Sequence, residues 1–351
     1  MKQKELLVIF NAGSTSLKYK IFDFKNLETL DTETFDIEEK GKEREILQEA
    51  LFNKIIAKAN SFGQIKHFGH RVVHGGDDFI NPTIITNSNI KKLEKYNGLA
   101  PLHNPYNISF IKLCIKNQPK TKNIAVFDTG FFADINDEAK HFAIPIKYYY
   151  QNVKRYGFHG ISHQYILSEA SKILKKKEQS CNLIVCHLGG GCSISAISKG
   201  KAIDISLGFT PLGGIMMSTR SGDIDPGVLI YLMKKYNYTA DDLNKILNNQ
   251  SGIFGIANTK NYLELLNGLK KKDEKCTLAF KMFCYQIRKT IGSYFAILNK
   301  VDAICFTGSI GSGFEITRNT ITKNLTLAKD VPILAIKTNE ELNIAKQIKA
   351  L

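Results

Sequence analysis

Apolar residues along this chain fall into two rhythms. Residues 6–10 (Leu-Leu-Val-Ile-Phe) form an unbroken apolar run, the mark of a strand buried on both faces. Residues 17–24 alternate instead: Leu17, Tyr19 and Ile21 are interleaved with Lys18 and Lys20, as in a half-buried strand. Strand patterns return at 67–73, 123–127, 183–187, 193–198 and 303–307. Helical spacing marks 38–59, 89–96, 105–117, 159–177, 226–236, 240–247 and 275–298, then 313–324 and 340–349. Strands alternating with helices predict an α/β fold, with antiparallel hairpins mixed into the sheets.

One pattern occurs twice. Leu6-Leu-Val-Ile-Phe-Asn-Ala-Gly-Ser-Thr-Ser-Leu17 and Leu183-Ile-Val-Cys-His-Leu-Gly-Gly-Gly-Cys-Ser-Ile194 are both strand, small-residue turn, strand. They stand 177 positions apart, about half of the 351 residues. This length suits two domains. A duplicated α/β domain accounts for the match, and a chance likeness of two hairpins is the alternative. If the halves face each other, both turns point into one cleft, where their N–H groups would make nests for phosphate. The expected parts are 1–145, 146–335 on the nucleotide side, and a C-terminal helix in 336–351 packing back on the first domain.

Residues 207–226 break both rhythms. They are rich in Gly and Pro, so they should not form regular structure. Yet seven apolar residues lie between Leu207 and Met217, Pro211 included. Thr219, Arg220, Ser221, Asp223 and Asp225 follow directly. Such a segment reads as the wall of a site for a charged group, or as a surface loop with local ion pairs.

Composition narrows the class. With 43% hydrophobic and 23% charged residues the chain reads as globular, and no run of about 18 apolar residues marks a membrane span. Residues 6–10 are too short for a signal-peptide core. Seven cysteines form no C-x-x-C pair and several sit in apolar runs, which suits a reducing compartment and a cytoplasmic protein. The net charge is +15, but lysines are spread over the chain and their short clusters lack interleaved aromatics. Small anionic substrates therefore fit better than nucleic acid as partners.

Candidate chemistry sits at strand ends. Asn11-Ala-Gly-Ser-Thr-Ser-Leu-Lys18 offers a turn, the hydroxyls of Ser14 and Ser16, and the charge of Lys18. No Walker G-x-x-x-x-G-K-[ST] sequence occurs anywhere. Arg71 lies inside an apolar strand beside Val72 and Val73. Burying it requires a core carboxylate or a bound anion. Asp128 ends the apolar run 123–127, where α/β folds place ligands, or else it caps a helix. His159 and His163 are spaced as H-x-x-x-H, but Gly160 between them and the missing H-E-x-x-H glutamate argue against zinc. Residues 302–313 read as strand, Gly-rich turn and helix start, a place for an anion.

Taken in order, these segments resemble the acetate kinase family, of the acetate and sugar kinase, heat-shock 70 and actin superfamily. The resemblance runs through Asn11–Lys18, His70–Gly76, Pro101-Leu-His-Asn-Pro105, residues 127–129, Tyr156–His163, His187–Gly191, Gly208–Pro226, Phe306–Gly311 and Thr338-Asn-Glu-Glu-Leu342. It implies two duplicated ribonuclease-H-like, actin-like domains with mixed sheets and an interdomain cleft. It implies reversible transfer of a phosphoryl group from ATP to acetate, giving ADP and acetyl phosphate, with Mg2+ or Mn2+, in a homodimer joined through the second domain. Arg71 and Arg220 would clamp carboxylate and γ-phosphate. His159 would donate to the phosphoryl group in flight, and Asp128 would orient the carboxylate or its arginine. Asn11 and Glu340 match the metal positions, with Glu341 adjacent. Ser14, Ser16 and Lys18 would contact phosphates, as would His187, Leu188, Gly189, Gly190 and Gly191. Ser309, Ile310, Gly311, Ser312 and Gly313 would do so from the third turn. Val73 and Pro211 would line the methyl pocket, and His103 would support local structure.

The chain departs from the family pattern on the nucleotide side. Gly190 stands where the family usually has Asn. Ser251-Gly-Ile-Phe-Gly255 is followed by Thr259-Lys-Asn-Tyr-Leu263, without the usual Asp-x-Arg, and Gly-Ile-Gly-Glu-Asn is replaced by Ser309-Ile-Gly-Ser-Gly313. The chain is also shorter than typical members. Propionate as acceptor, another phosphoryl donor, and a non-catalytic nucleotide-binding regulator are the alternatives.

Overall fold

The computed structural model describes residues 3–351 apart from 14, 15, 38, 40 and 102. Along the chain run β1 (Lys4–Ala12), β2 (Ser16–Asp23), β3 (Thr29–Asp36), α1 (Gly41–Asn60), β4 (Gly63–Val72) and β5 (Thr83–Ile85). Then come α2 (Ile90–Glu94), α3 (Asn104–Asn117), β6 (Lys122–Phe127), α4 (Asp137–Lys140) and α5 (Gly160–Ile173). The hairpin strands β7 (Leu183–Leu188), β8 (Cys192–Ser198) and β9 (Lys201–Ile205) follow. After them stand α6 (Pro226–Tyr236), α7 (Ala240–Asn249), α8 (Gly252–Ala257), α9 (Tyr262–Lys270) and α10 (Glu274–Leu298). The chain ends with β10 (Ala303–Thr307), α11 (Gly308–Gly313), α12 (Glu315–Thr322), β11 (Ile333–Ala335) and α13 (Glu340–Lys349).

The chain forms two compact units. One takes in the chain up to Ala133, Phe158–Tyr165 and Asn339–Leu351; the other comprises Asp134–Gly157 and Ile166–Thr338. The first sheet has the order β3-β2-β1-β4-β6-β5 and the second β11-β10-β7-β8-β9. Three antiparallel strands lead each sheet, β1–β3 and β7–β9. A strand parallel to the first member follows on its other side, β4 beside β1 and β10 beside β7, and a further parallel strand lies beyond it. The two units therefore repeat one topology, and the fold is the duplicated α/β fold that the recurring hairpin implies.

In the first unit β1 explains the core. Its unbroken apolar run has no polar face because both faces are covered. Leu6, Val8 and Phe10 join Phe52 and Ile55 of α1 and Phe110 of α3. Leu7 and Ile9 join Ile344, Ala345 and Ile348 of α13. Gly69 of β4 lets that helix lie close, because a Cβ there would fall 2.3 Å from Ile9 Cδ1 and 2.5 Å from Ile348 Cδ1.

In the second unit α10 buries Ala279, Phe280, Phe283, Cys284, Ile287, Ile291 and Tyr294, spaced three and four apart, and packs on β8. Tyr294 there donates its hydroxyl hydrogen to the carbonyl of Ile194. Residues between β9 and α6 form neither helix nor strand, as their composition predicts, while Leu207, Ile215, Met216 and Met217 are buried. Thr29–Asp36, too polar in sequence to read as a strand, pairs along β2 as the sheet's edge.

Candidate active site

The parallel pairing of β4 and β6 sets Arg71 opposite Val126 and Val72 opposite Phe127, so both strands end at one level. Asp128 follows, its N–H bonded to the carbonyl of Val72 at 3.0 Å. Arg71 then donates from Nε (3.1 Å) and Nη2 (2.6 Å) to the same oxygen, Oδ2 of Asp128. The sequence left open whether Arg71 meets a core carboxylate or an anion; this pair supplies the carboxylate. The other oxygen, Oδ1, is buried without a protein partner. Arg71 Nη1 lies 3.5 Å from Asn11 Oδ1 and 3.5 Å from Glu340 Oε2. Three oxygen-bearing side chains thus surround one guanidinium. Burial pushes the Asp128 carboxyl up, to about 6, against the pull of Arg71. Burial opposes the Arg71 charge too, but Asp128 and Glu340 outweigh it and hold the guanidinium protonated.

Glu340 and Glu341 take different places. Glu341 is buried and pairs with Lys18 Nζ at 2.8 Å and Lys20 Nζ at 3.7 Å. Lys20 also donates to Asn339 Oδ1, and that oxygen accepts the N–H of Leu342. The start of α13 is thereby clamped to β2, with Glu340 toward Arg71. Lys18, expected at phosphate, pairs with a glutamate far along the chain. Ser16 begins β2, and its carbonyl accepts the N–H of Gly13. Ser14 lies outside the described residues.

His159 stands just before α5 with φ +64°. The left-handed region is costly for a residue with a Cβ, about 1–2 kcal/mol. One turn on, His163 is fully buried. Val73 is buried, and its N–H is held by Asn107 Oδ1. Asn107 also donates to the carbonyl of Ala12, and Asn104 brackets both main-chain groups of His74. These two buried asparagines at the start of α3 brace the strand ends. Sequence reasoning passed over them, although Asn104 lies in the quoted Pro101–Pro105 motif. His103 is the residue before α3.

In the second unit Arg220 Nη1 donates to the carbonyl of Pro211 at 3.1 Å and approaches Met217 Sδ at 3.8 Å. None of the described carboxylates pairs with it. Burial lowers its affinity for the proton, with Cys192 a small opposing influence. Each of the two carboxylates that follow makes a local bond to the main chain. Asp223 Oδ1 accepts the N–H of Gly214, and Asp225 Oδ1 accepts that of Gly227 at the start of α6. Short acidic side chains readily bond main-chain N–H groups nearby, in turns and at helix starts.

His187 and Leu188 end β7, and Gly189, Gly190 and Gly191 make the turn into β8. The N–H of Gly189 bonds the carbonyl of Gly191. A Cβ on Gly190 would meet nothing within 4 Å, so that position is open. Opposite lies Gly308, φ +76°, where a Cβ would fall 2.4 Å from the carbonyl oxygen of Leu188. In place of the expected Gly-rich turn, β10 passes directly into α11 at Gly308. Ser309, Ile310, Gly311, Ser312 and Gly313 are already helical in α11, earlier than the start at 313 that the spacing suggests. Arg318 Nη1 binds the carbonyls of Gly311 and Ser312. Thr307 Oγ1, at the end of β10, is buried without a partner and was not singled out in sequence.

Phosphoryl transfer asks a protein for fixed positive charge and donors around anionic oxygens, with no covalent chemistry of its own. Each unit presents an arginine of that kind, Arg71 in the first and Arg220 in the second, as a phosphotransferase requires. Comparison with known proteins gives the rest. The acetokinase family model matches residues 6–348. Acetate kinase of Thermoanaerobacter pseudethanolicus is 38% identical over 397 aligned positions, covering 98% of this chain and 98% of that protein. That alignment is longer than these 351 residues, so the relative carries segments absent here. Acetate kinase of Porphyromonas gingivalis superposes with TM-score 0.86 at 30% identity, over 97% of this chain and 98% of that one. A propionate kinase from Francisella tularensis superposes with TM-score 0.89 at 32% identity, over 99% of both chains. The chain belongs to the acetokinase family, whose members are phosphotransferases with a carboxyl group as acceptor.

Replacing Glu341 tests the α13 clamp. Burial alone would raise its carboxyl, but the Lys18 charge and hydrogen bond, with Lys20, hold it below the usual value. A depressed folded value gives stability that is present above the unfolded value and is lost as pH falls through the folded one. Glu341→Gln should lower unfolding free energy at pH 7 by about 2 kcal/mol, discounted from the buried-pair range because the Lys18 side chain is 38% exposed. Urea titrations should show that deficit closing below about pH 4. An equal deficit at both pH values would contradict the clamp.

Proposed function

We propose that this protein catalyses the reversible reaction of ATP with acetate to give ADP and acetyl phosphate, with Mg2+. The observation that carries the reading is the Arg71–Asp128 pair, whose spare corner meets Asn11 and Glu340. An acetate oxygen attacks the γ-phosphorus, and the bond between that phosphorus and the β–γ bridging oxygen breaks. Acetate is already ionised near neutral pH, so no base is needed. Asp128 therefore serves to hold Arg71 rather than to remove a proton. Arg71 takes the carboxylate, with Val73 and Pro211 assigned to the methyl. His159 and Arg220 are assigned to the phosphoryl oxygens. The main-chain N–H groups of Gly190 and Gly191 and of Gly308 are assigned to the phosphates of the nucleotide, with Gly189 and Ser309 beside them.

Kinases of this family need a divalent metal in general. The donor set fits a hard cation: the amide oxygen of Asn11 and the carboxylate of Glu340, which share Arg71 with Asp128, whose Oδ1 is unpartnered. Among the described residues no group of three or more His, Cys, Asp or Glu makes a dedicated metal cage. Mg2+ suits that, because it takes few protein ligands and shares its remaining positions with phosphate and water. Asn11 and Glu340 would hold it. Bound there, the ion would neutralise charge developing on the phosphate oxygens.

Acyl phosphate trapped as hydroxamate tests the reaction, with acetate, propionate and butyrate against ATP, GTP and pyrophosphate. Acetate with ATP should be the best pair. Propionate is the second reading, favoured by the likeness to a propionate kinase. Arg71→Ala and Arg220→Ala should each cost at least about 100-fold in kcat/KM. No product from any pair, in folded protein, would overturn the enzyme reading.

The α6 helix supports a homodimer through the second unit. It buries none of its residues and exposes Val228, Ile230 (55%), Tyr231 and Met233. Apolar helix faces of this kind mark interfaces. Ile230→Asp with Met233→Asp should halve the mass measured by light scattering, and an unchanged mass would reject this interface. None of the helices among the described residues is long and apolar enough to cross a membrane, and the seven cysteines are free and buried. The free, buried thiols support a reducing, cytoplasmic place of action.

A further inference from the structure

The groups assigned to the reaction in the first unit lie on segments far apart in sequence, and two hydrogen bonds to main-chain carbonyls, one from a main-chain N–H and one from a side-chain amide, hold them together. The carbonyl of Asp128 accepts the N–H of Gly160 at 2.9 Å. The contact is possible only without a side chain. A Cβ on Gly160 would lie 2.2 Å from that carbonyl oxygen, 2.9 Å from Phe131 Cβ and 3.2 Å from the carbonyl carbon of Asp128. Gly160 is not among the positive-φ glycines, so closeness rather than backbone conformation demands glycine here. On the other side, Asn343 Nδ2 donates to the carbonyl of Ile161 at 2.8 Å and to Gln164 Oε1 at 3.1 Å. Asn343 is buried on α13, three residues after Glu340.

We propose that Gly160 and Asn343 are positioning residues that fix His159 relative to Arg71, Asp128 and Glu340. Gly160 docks the peptide after His159 on the peptide of Asp128, and Asn343 ties the next carbonyl to the helix that carries Glu340. This rests on the assignment of His159 to the phosphoryl group. His159 is held in the left-handed region by its surroundings, so a shift of the 159–161 backbone moves its imidazole directly. Neither Gly160 nor Asn343 has to touch substrate to act in this way.

A double-mutant cycle against His159→Ala separates positioning from general structure. Gly160→Ala should lower kcat for acetyl phosphate formation by about 30-fold or more, with KM for acetate and ATP within about threefold, the pattern of a misplaced catalytic group. Asn343→Ala introduces no clash and should lower kcat by about fivefold to tenfold. In the His159→Ala background each change should cost less than about threefold. Circular dichroism and the melting transition identify folded variants, and Asn343→Ala carries the test if Gly160→Ala does not fold. Equal losses with and without His159, or no loss in the single variants, would overturn the proposal. Full activity in His159→Ala would instead overturn the assignment of His159, and the proposal with it.

Discussion

The first unit is organised around one ion pair, a buried carboxylate meeting a half-buried guanidinium. A guanidinium inside an apolar strand is stable only if a carboxylate meets it, and Asp128 does so because β4 and β6 run parallel and end together. Everything else at that edge of the sheet is placed with respect to the pair. Asn11 comes from β1, on the other side of β4. Glu340 comes from α13, whose start is held by Lys18 and Lys20 through Glu341. Because both donors of Arg71 go to one oxygen of Asp128, the second oxygen is left buried and unpartnered. Such an oxygen costs stability and is retained at a site that supplies a partner.

The second unit repeats the topology with different equipment. Where the first unit has a paired arginine at a strand end, the second has Arg220 on an irregular segment, tied to a carbonyl and a thioether rather than to an acid. Even a half-buried cation without a counter-charge is costly unless an anion completes it. Gly308 in this unit answers a steric demand. The chain there passes so close to Leu188 that any side chain would overlap its carbonyl, which sets the start of α11 beside the end of β7.

Much of this was legible in the sequence, for identifiable reasons. The unbroken apolar run at 6–10 required cover on both faces, and α1, α3 and α13 provide it. The two hairpins announced the duplication because strand, glycine turn and strand are all local patterns. Arg71 and Asp128 stood out because charge interrupts an apolar strand in one case and ends it in the other. What stayed hidden depends on distance or on direction. The pairing of Lys18 with Glu341 joins the two ends of the chain, and no local pattern signals it. The carboxylates of Asp223 and Asp225 looked available because composition does not show which way a side chain turns. The polar edge strand β3 escaped notice because an edge strand has no need for apolar residues on both faces.

The central claim is that Asp128 acts by holding Arg71 in place for an anionic acceptor. Its most direct test is acetyl phosphate formation at saturating ATP in Asp128→Asn, with the acetate concentration varied. The account predicts folded protein whose kcat/KM for acetate falls by at least about 100-fold, because an amide oxygen holds the guanidinium more weakly than a carboxylate does. A value within about threefold of the unaltered protein would contradict it.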